Sequence, residues 1–254
     1  MNLPPNAIRL TDKIQIWKIP NFATNEECDQ LIQDATKAGY QRSEVDSKNK
    51  GKTEARTSTT SFIRGHQTKT GLKLGEKAKK VVGSDTNLEG IQVQRYLKDQ
   101  KYNPHFDTFE QKDGVDQRSW TLMVYLNDVE EGGGTYFPKI DFRIMPEKGT
   151  AILWNNLDAN NCRDNNTLHM GEPINKGEKY VSTYWFRKSG NAVTMCPQAP
   201  EHKFNMKLKD TNIPLETKEP TGIIVGCGCF LVIVLIALLV YLYIDSKKLK
   251  SKKR

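Results

Sequence analysis

The stretch YNPHFDTF, residues 102–109, sets His105 and Asp107 two positions apart. An imidazole nitrogen and a carboxylate oxygen are both ligands for a divalent metal. On an extended strand, residues i and i+2 face the same side, so one short strand would offer both groups to a single point. A third ligand must come from elsewhere. The chain has four histidines, His66, His105, His169 and His202, and His169 is the best candidate. It is followed by Gly171, Pro173 and a turn at Lys176–Gly177. Two histidines and one carboxylate on one face of a metal leave three positions open, as in non-haem Fe(II) oxygenases. H-x-D by itself also describes a strand histidine satisfied by a hydrogen bond, and the same three side chains would hold zinc.

Lys179 lies ten residues after His169 and begins the β-rich run KYVSTYWFR. On a strand, Lys179, Val181, Thr183 and Trp185 share one face, which the spacing turns toward the metal. 2-Oxoglutarate chelating an iron needs a cation for its distal carboxylate, and a lysine supplies a compact charge with three donors. Zinc would leave Lys179 without a task.

These residues need a scaffold. Thr24 and Glu27 form a capping-box pattern, and Cys28, Leu31, Ile32 and Ala35 follow at helical spacing. A second helix is expected around Gly71–Val82. Residues 43–60 are polar and read as a mobile loop ending in a strand. From residue 90 the pattern changes to short aromatic and β-branched strands at 91–97, 119–127, 149–156 and 179–187. Helices first and strands after predict a mainly β, α+β fold: a double-stranded β-helix (jelly-roll) core with flanking helices. The boundaries are a domain at 1–205 (helical support 15–90, core about 91–190), a linker at 206–221, an apolar span at 222–244 and a basic tail at 245–254.

The span GIIVGCGCFLVIVLIALLVYLYI carries no charge and is long enough, as a helix, to cross a bilayer core of about 30 Å. The first twenty residues lack the apolar core of a signal peptide. The tail holds Lys247, Lys248, Lys250, Lys252, Lys253 and Arg254, and positive flanks favour the cytoplasmic side. That puts the large domain in a lumen, and KSKKR resembles a retrieval signal of the endoplasmic reticulum. A tail-anchored protein without a signal peptide would instead keep the domain in the cytosol, and both topologies stand at this stage. The formal charge of +8 owes much to the tail. With no arginine-rich stripe, no nucleic-acid partner is expected. Cys227 and Cys229 lie in the apolar span, as lipidation sites or packed side chains; Cys28, Cys162 and Cys196 show no zinc spacing, and one disulfide is allowed without being required.

The blocks QVQRYLKDQKYNPHFD, TLMVYLNDVEEGGGTYFP, GTAILWNNL and TLHMGEPINKGEKYVSTYWFR resemble, in order and internal spacing, the catalytic domain of the prolyl 4-hydroxylases, a family of Fe(II)/2-oxoglutarate dioxygenases. The resemblance covers roughly residues 15–190. It implies that His105, Asp107 and His169 ligate Fe(II) and that Lys179 pairs with the distal carboxylate of 2-oxoglutarate. It implies the same pocket for Tyr96 and Thr121, and a peptide groove lined by Tyr102, Trp185 and Arg118. ARTS, residues 55–58, resembles the segment beside the family's peptide-closing loop. The implied reaction converts peptidyl proline to 4-hydroxyproline with O2, leaving succinate and CO2, with ascorbate as reductant and a proline-containing peptide as partner. Hydroxylation of another residue or a small molecule, or a silent membrane-tethered binding module, are the alternatives. Two departures stand out. Gly134 replaces the glutamate of the family's usual GGET, and Asn161 replaces a common glycine.

Overall fold

The computed structural model describes residues 1–44, 54–63, 68–83, 86–109 and 117–188. The expected membrane span, linker and basic tail lie outside the described residues. So do His66, His202, Cys196, Cys227, Cys229 and residues 45–53 of the polar loop. Among the described residues, no helix is long and apolar enough to cross a membrane.

A mainly β core carries two helices. The larger sheet runs Ile8–Thr11, Ile16–Ile19, Ala151–Asn155, Arg118–Tyr125, Lys179–Lys188, Ile91–Tyr96, Thr59–Ile63 and Gln41–Arg42, with Thr86–Leu88 also paired to Lys179–Lys188. The smaller sheet is Phe142–Ile144, Thr135–Phe137, His169–Gly171 and Tyr102–His105. Every strand pairing among the described residues is antiparallel. This is the arrangement expected of a jelly roll.

Period-two alternation explains how the larger sheet is covered on both faces. Along Arg118–Tyr125, Leu122 and Val124 join one core cluster, while Met123 and Tyr125 join another. Ala151 and Leu153 likewise part from Ile152 and Trp154. The first cluster takes Cys28, Leu31 and Ala35 from the helix Asn25–Ala38 and Leu74, Ala78 and Val82 from Lys69–Val82. The second takes Phe137 and Ile144 from the smaller sheet. A sheet buried on both sides is apolar at nearly every position, which is why AILW and TLMVY show no polar alternation.

Thr24 and Glu27 form the full capping box. Thr68 caps the second helix, which starts at Lys69, two residues before the expected Gly71. The expected order of helices first and strands after needs correction. Ile8–Thr11 and Ile16–Ile19 precede both helices, and Ile16–Ile19 pairs with Ala151–Asn155. The segment 15–90 is therefore sheet as well as helical support. Ile8–Thr11 pairs only with Ile16–Ile19, which is itself held by a partner more than a hundred positions away, so local pattern does not reveal this pair of four-residue strands.

Candidate metal centre

The strand Tyr102–His105 ends at His105, and Asp107 sits in the bend beyond it. The two ligands are therefore not successive same-face positions of one strand, as the spacing predicted. Asp107 is held from the neighbouring sheet, where Thr121 Oγ1 donates to its Oδ2 at 2.7 Å. His169 opens its own strand and pairs directly opposite His105, so the two imidazole rings lie 4.3 Å apart.

Each imidazole is oriented by a carbonyl two residues upstream. His105 Nδ1 lies 2.9 Å from Asn103 O and His169 Nδ1 lies 2.9 Å from Thr167 O. A carbonyl only accepts, so Nδ1 carries the proton in both rings and the Nε2 lone pair is left for a metal. The two Nε2 atoms stand 3.6 and 3.7 Å from Asp107 Oδ1, too far for hydrogen bonds. One ligand atom from each residue falls within 4.8 Å of the others, close enough to share one small cation.

The electrostatics agree. Burial, helped by His169, pushes the His105 imidazole down to about 3. Burial alone would raise the Asp107 carboxyl, but His169, His105, the Thr121 hydrogen bond and Arg118 together hold it below the ordinary range. A neutral imidazole beside an ionised carboxylate is a donor set for a divalent metal, and two nitrogens and one oxygen suit Fe(II).

A cavity opens between the two sheets beside these ligands. Lys179, Val181, Thr183 and Trp185 all line it, as their shared strand face requires. Lys179 is 3 % exposed and its Nζ donates to Gly133 O at 2.6 Å. Among the described residues it has no ion-pair partner. Burial pushes it down to about 8, with Glu172 acting in the opposite direction. Tyr96 sits opposite Lys179 across the strands and lines the same cavity, its ring 5.6 Å from Nζ. Trp154 Nε1 and Trp185 Nε1 are buried donors with no partner among the described residues, and both side chains line the cavity. Acceptors on a bound small molecule or peptide would satisfy them.

Thr121 does not line this cavity. Its hydroxyl is engaged by Asp107 and by Asn156 Nδ2 at 2.9 Å, so it bears on the candidate metal ligand. Tyr102 stacks on His105 at 3.5 Å, with the Arg56 guanidinium 4.7 Å from the centroid of its ring. Arg118 lies 3.9 Å over the Trp185 ring. Glu89 accepts from Arg118 at 2.7 and 2.8 Å and from Arg187 at 2.7 Å. Sequence reasoning placed Arg56 only within ARTS and missed Asn156 and Glu89. A buried asparagine just past an apolar strand is the one local signal for Asn156. Glu89 has none, because its partners lie 29 and 98 positions away.

Comparison with known proteins agrees with this geometry. Residues 91–187 match the family model of the 2OG-Fe(II) oxygenase superfamily. The chain is 35% identical over 197 residues to Prolyl 4-hydroxylase 5 of Arabidopsis thaliana, covering 65% of this chain and 66% of that protein. It is 32% identical over 221 residues to Probable prolyl 4-hydroxylase 6 of the same plant, covering 76% of each. Among solved structures, it resembles the viral collagen prolyl hydroxylase of Paramecium Bursaria Chlorella virus-1 in its 2OG complex. The TM-score is 0.59 at 32% identity, over 68% of this chain and 95% of that one. The chain spans just under two thirds of the first plant relative's length. The chain belongs to the prolyl 4-hydroxylase family of the 2OG-Fe(II) oxygenases, the iron- and 2-oxoglutarate-dependent dioxygenases.

Proposed function

We propose that this chain hydroxylates proline in a peptide to 4-hydroxyproline, consuming 2-oxoglutarate and O2 and releasing succinate and CO2. One observation carries the reading. A single cavity has the His105, Asp107 and His169 donors and the buried, carboxylate-free Lys179 in its lining. The similarity to the two plant prolyl 4-hydroxylases and the viral enzyme supports proline as the target.

Iron held by His105, Asp107 and His169 would supply activation of dioxygen coupled to decarboxylation of 2-oxoglutarate. The protein's part is positioning. Lys179 binds the distal carboxylate, with the Tyr96 hydroxyl as a second donor. Tyr102, stacked on His105, and Trp185, fixed under Arg118, flank the path of an extended peptide. A proline-rich strand in the polyproline II form is pre-organised for such an aromatic groove. The sheets on either side keep water from the reacting atoms. Ascorbate serves as the reductant that restores oxidised iron after turnovers without peptide.

We also propose that residues 222–244 anchor the chain in the endoplasmic reticulum membrane with the catalytic domain in the lumen. The uncharged span and basic tail support this. Protease treatment of intact microsomes tests it: the domain survives without detergent if luminal and is digested if cytosolic.

The activity is tested by incubating the protein with Fe(II), 2-oxoglutarate, ascorbate and proline-rich peptides. Succinate with a hydroxylated peptide is expected. Succinate with no hydroxyproline in any peptide would remove proline as the substrate.

A further inference from the structure

Asp107 has two carboxylate oxygens with different surroundings. Oδ1 is the atom nearest both histidine Nε2 atoms, at 3.6 and 3.7 Å. Oδ2 accepts from Thr121 Oγ1 at 2.7 Å. Thr121 is itself 2.9 Å from Asn156 Nδ2. Both Thr121 and Asn156 are fully buried.

The direction of this chain follows from donor and acceptor chemistry. An ionised carboxylate only accepts, so the single hydroxyl proton of Thr121 must point at Asp107. The hydroxyl then has only lone pairs to offer Asn156, whose amide NH2 must face it. Asn156 Oδ1 has no partner among the described residues, so the amide's orientation is fixed by the Thr121 lone pair, while its backbone holds the residue in place. Its backbone N–H donates to Ser119 O at 2.8 Å and its carbonyl accepts from Asp164 N–H at 3.0 Å, so it is tied on both sides. Thr121 lies on the central strand Arg118–Tyr125, paired with Trp154. Neither residue can drift without breaking backbone pairing.

We infer that Asn156 and Thr121 form a directed pair of positioning residues that holds Asp107 to a single metal bond through Oδ1. A carboxylate can bind a metal through one oxygen or both. Two-oxygen binding here would break a buried, charge-assisted hydrogen bond. The consequence reaches the co-substrate. Three one-point ligands leave three positions on an octahedral metal, two for a chelating 2-oxo acid and one for dioxygen. A second bond from Asp107 would take one of them. The pair thus protects co-substrate binding more than metal binding. The inference rests on the metal site described above.

The test uses the full-length chain, Mn(II), and 2-oxoglutarate without oxygen. Asp107→Ala is the control for the site itself, and its failure to lose Mn(II) affinity would count against the metal site. For the pair, Thr121→Val removes the hydroxyl at constant shape. It should keep Mn(II) affinity within a few-fold while 2-oxoglutarate affinity falls about 10-fold or more, the usual scale for outer partners of metal ligands. The charge-transfer absorption of the anaerobic Fe(II)–2-oxoglutarate complex should weaken or shift. Thr121→Ser should restore both. Asn156→Leu, which frees the hydroxyl to rotate, should give a smaller loss of the same kind. If Thr121→Val and Asn156→Leu bind 2-oxoglutarate within twofold of wild type with an unchanged absorption band, the inference is overturned. If the valine variant does not fold, the serine and leucine variants decide it alone.

Discussion

Glu172 occupies the space a side chain at Gly134 would need. A Cβ at position 134 would run into the Glu172 carboxylate and lie 3.3 Å from Arg143 Cγ. Glu172 is held there by two bonds from Arg143, Nε and Nη2, each 2.8 Å long. The glycine that departs from the usual GGET pattern is therefore matched by a carboxylate arriving from the adjacent strand end. Restoring the family residue with Gly134→Glu should destabilise the protein by roughly 1–3 kcal/mol, from overpacking and like-charge repulsion. Adding Glu172→Gly should recover most of it, because Arg143 regains one carboxylate. Thermal denaturation of the two single variants and the double variant measures the coupling.

On the proposed function, Lys179 would give 2-oxoglutarate binding its pH dependence. Its ammonium is pushed down to about 8 by burial, and only the charged form attracts the distal carboxylate. Apparent affinity for 2-oxoglutarate should be flat below pH 8 and fall by up to about tenfold per unit above it. Lys179→Ala should weaken binding at neutral pH and abolish that slope. The stability effect has the opposite sense. Between pH 8 and 10.5 the unfolded chain binds the extra proton, so the lysine's penalty on the ligand-free fold is relieved as pH rises. Calorimetric titration across pH 7–10 distinguishes the variant from wild type.

Glu89 fixes two arginines beside the site, one of which, Arg118, also donates to Asp107 O at 3.4 Å. It fixes Arg118, which lies over Trp185, and Arg187, whose guanidinium is 4.6 Å over Phe109. Glu89→Ala leaves both arginines without their carboxylate partner. Hydrogen bonds to charged groups contribute about 1.5–3 kcal/mol, so peptide KM should rise roughly tenfold. The KM for 2-oxoglutarate should rise far less than that for peptide, because Arg118 keeps its bond to Asp107 O, and steady-state kinetics can separate the two.

Asn161 adopts φ 57°, the left-handed region where asparagine is among the few tolerated residues besides glycine. The replacement of a common glycine is thus conformationally matched. Asn161→Gly should change stability by only a few tenths of a kcal/mol, while Asn161→Val should cost about 1–2 kcal/mol. Chemical denaturation midpoints provide the comparison.

How far the site was readable from sequence depended on the distance over which each residue acts. Lys179, Val181, Thr183 and Trp185 were legible as one face because strand alternation is local. The Thr24–Glu27 capping box was legible for the same reason. His105 and Asp107 were legible as ligands, but their geometry was not. The strand stops at His105, and Thr121 fixes Asp107 from a different sheet. The bond from the Thr121 hydroxyl to a carboxylate 14 positions away in sequence has no local signal. The pair Ile8–Thr11 and Ile16–Ile19 is not legible because strands this short carry little local signal, and the pair is tied to the sheet only through Ile16–Ile19 on the distant Ala151–Asn155.

The central claim is that His105, Asp107 and His169 hold an iron that turns over 2-oxoglutarate on a peptide. The most direct measurement is anaerobic Fe(II) binding followed by single-turnover succinate formation, in wild type and His169→Ala. Wild type should bind one Fe(II) per chain and form succinate on admission of O2, faster with a proline-rich peptide, and the variant should do neither. Equal iron binding and equal succinate in the two proteins would contradict the account.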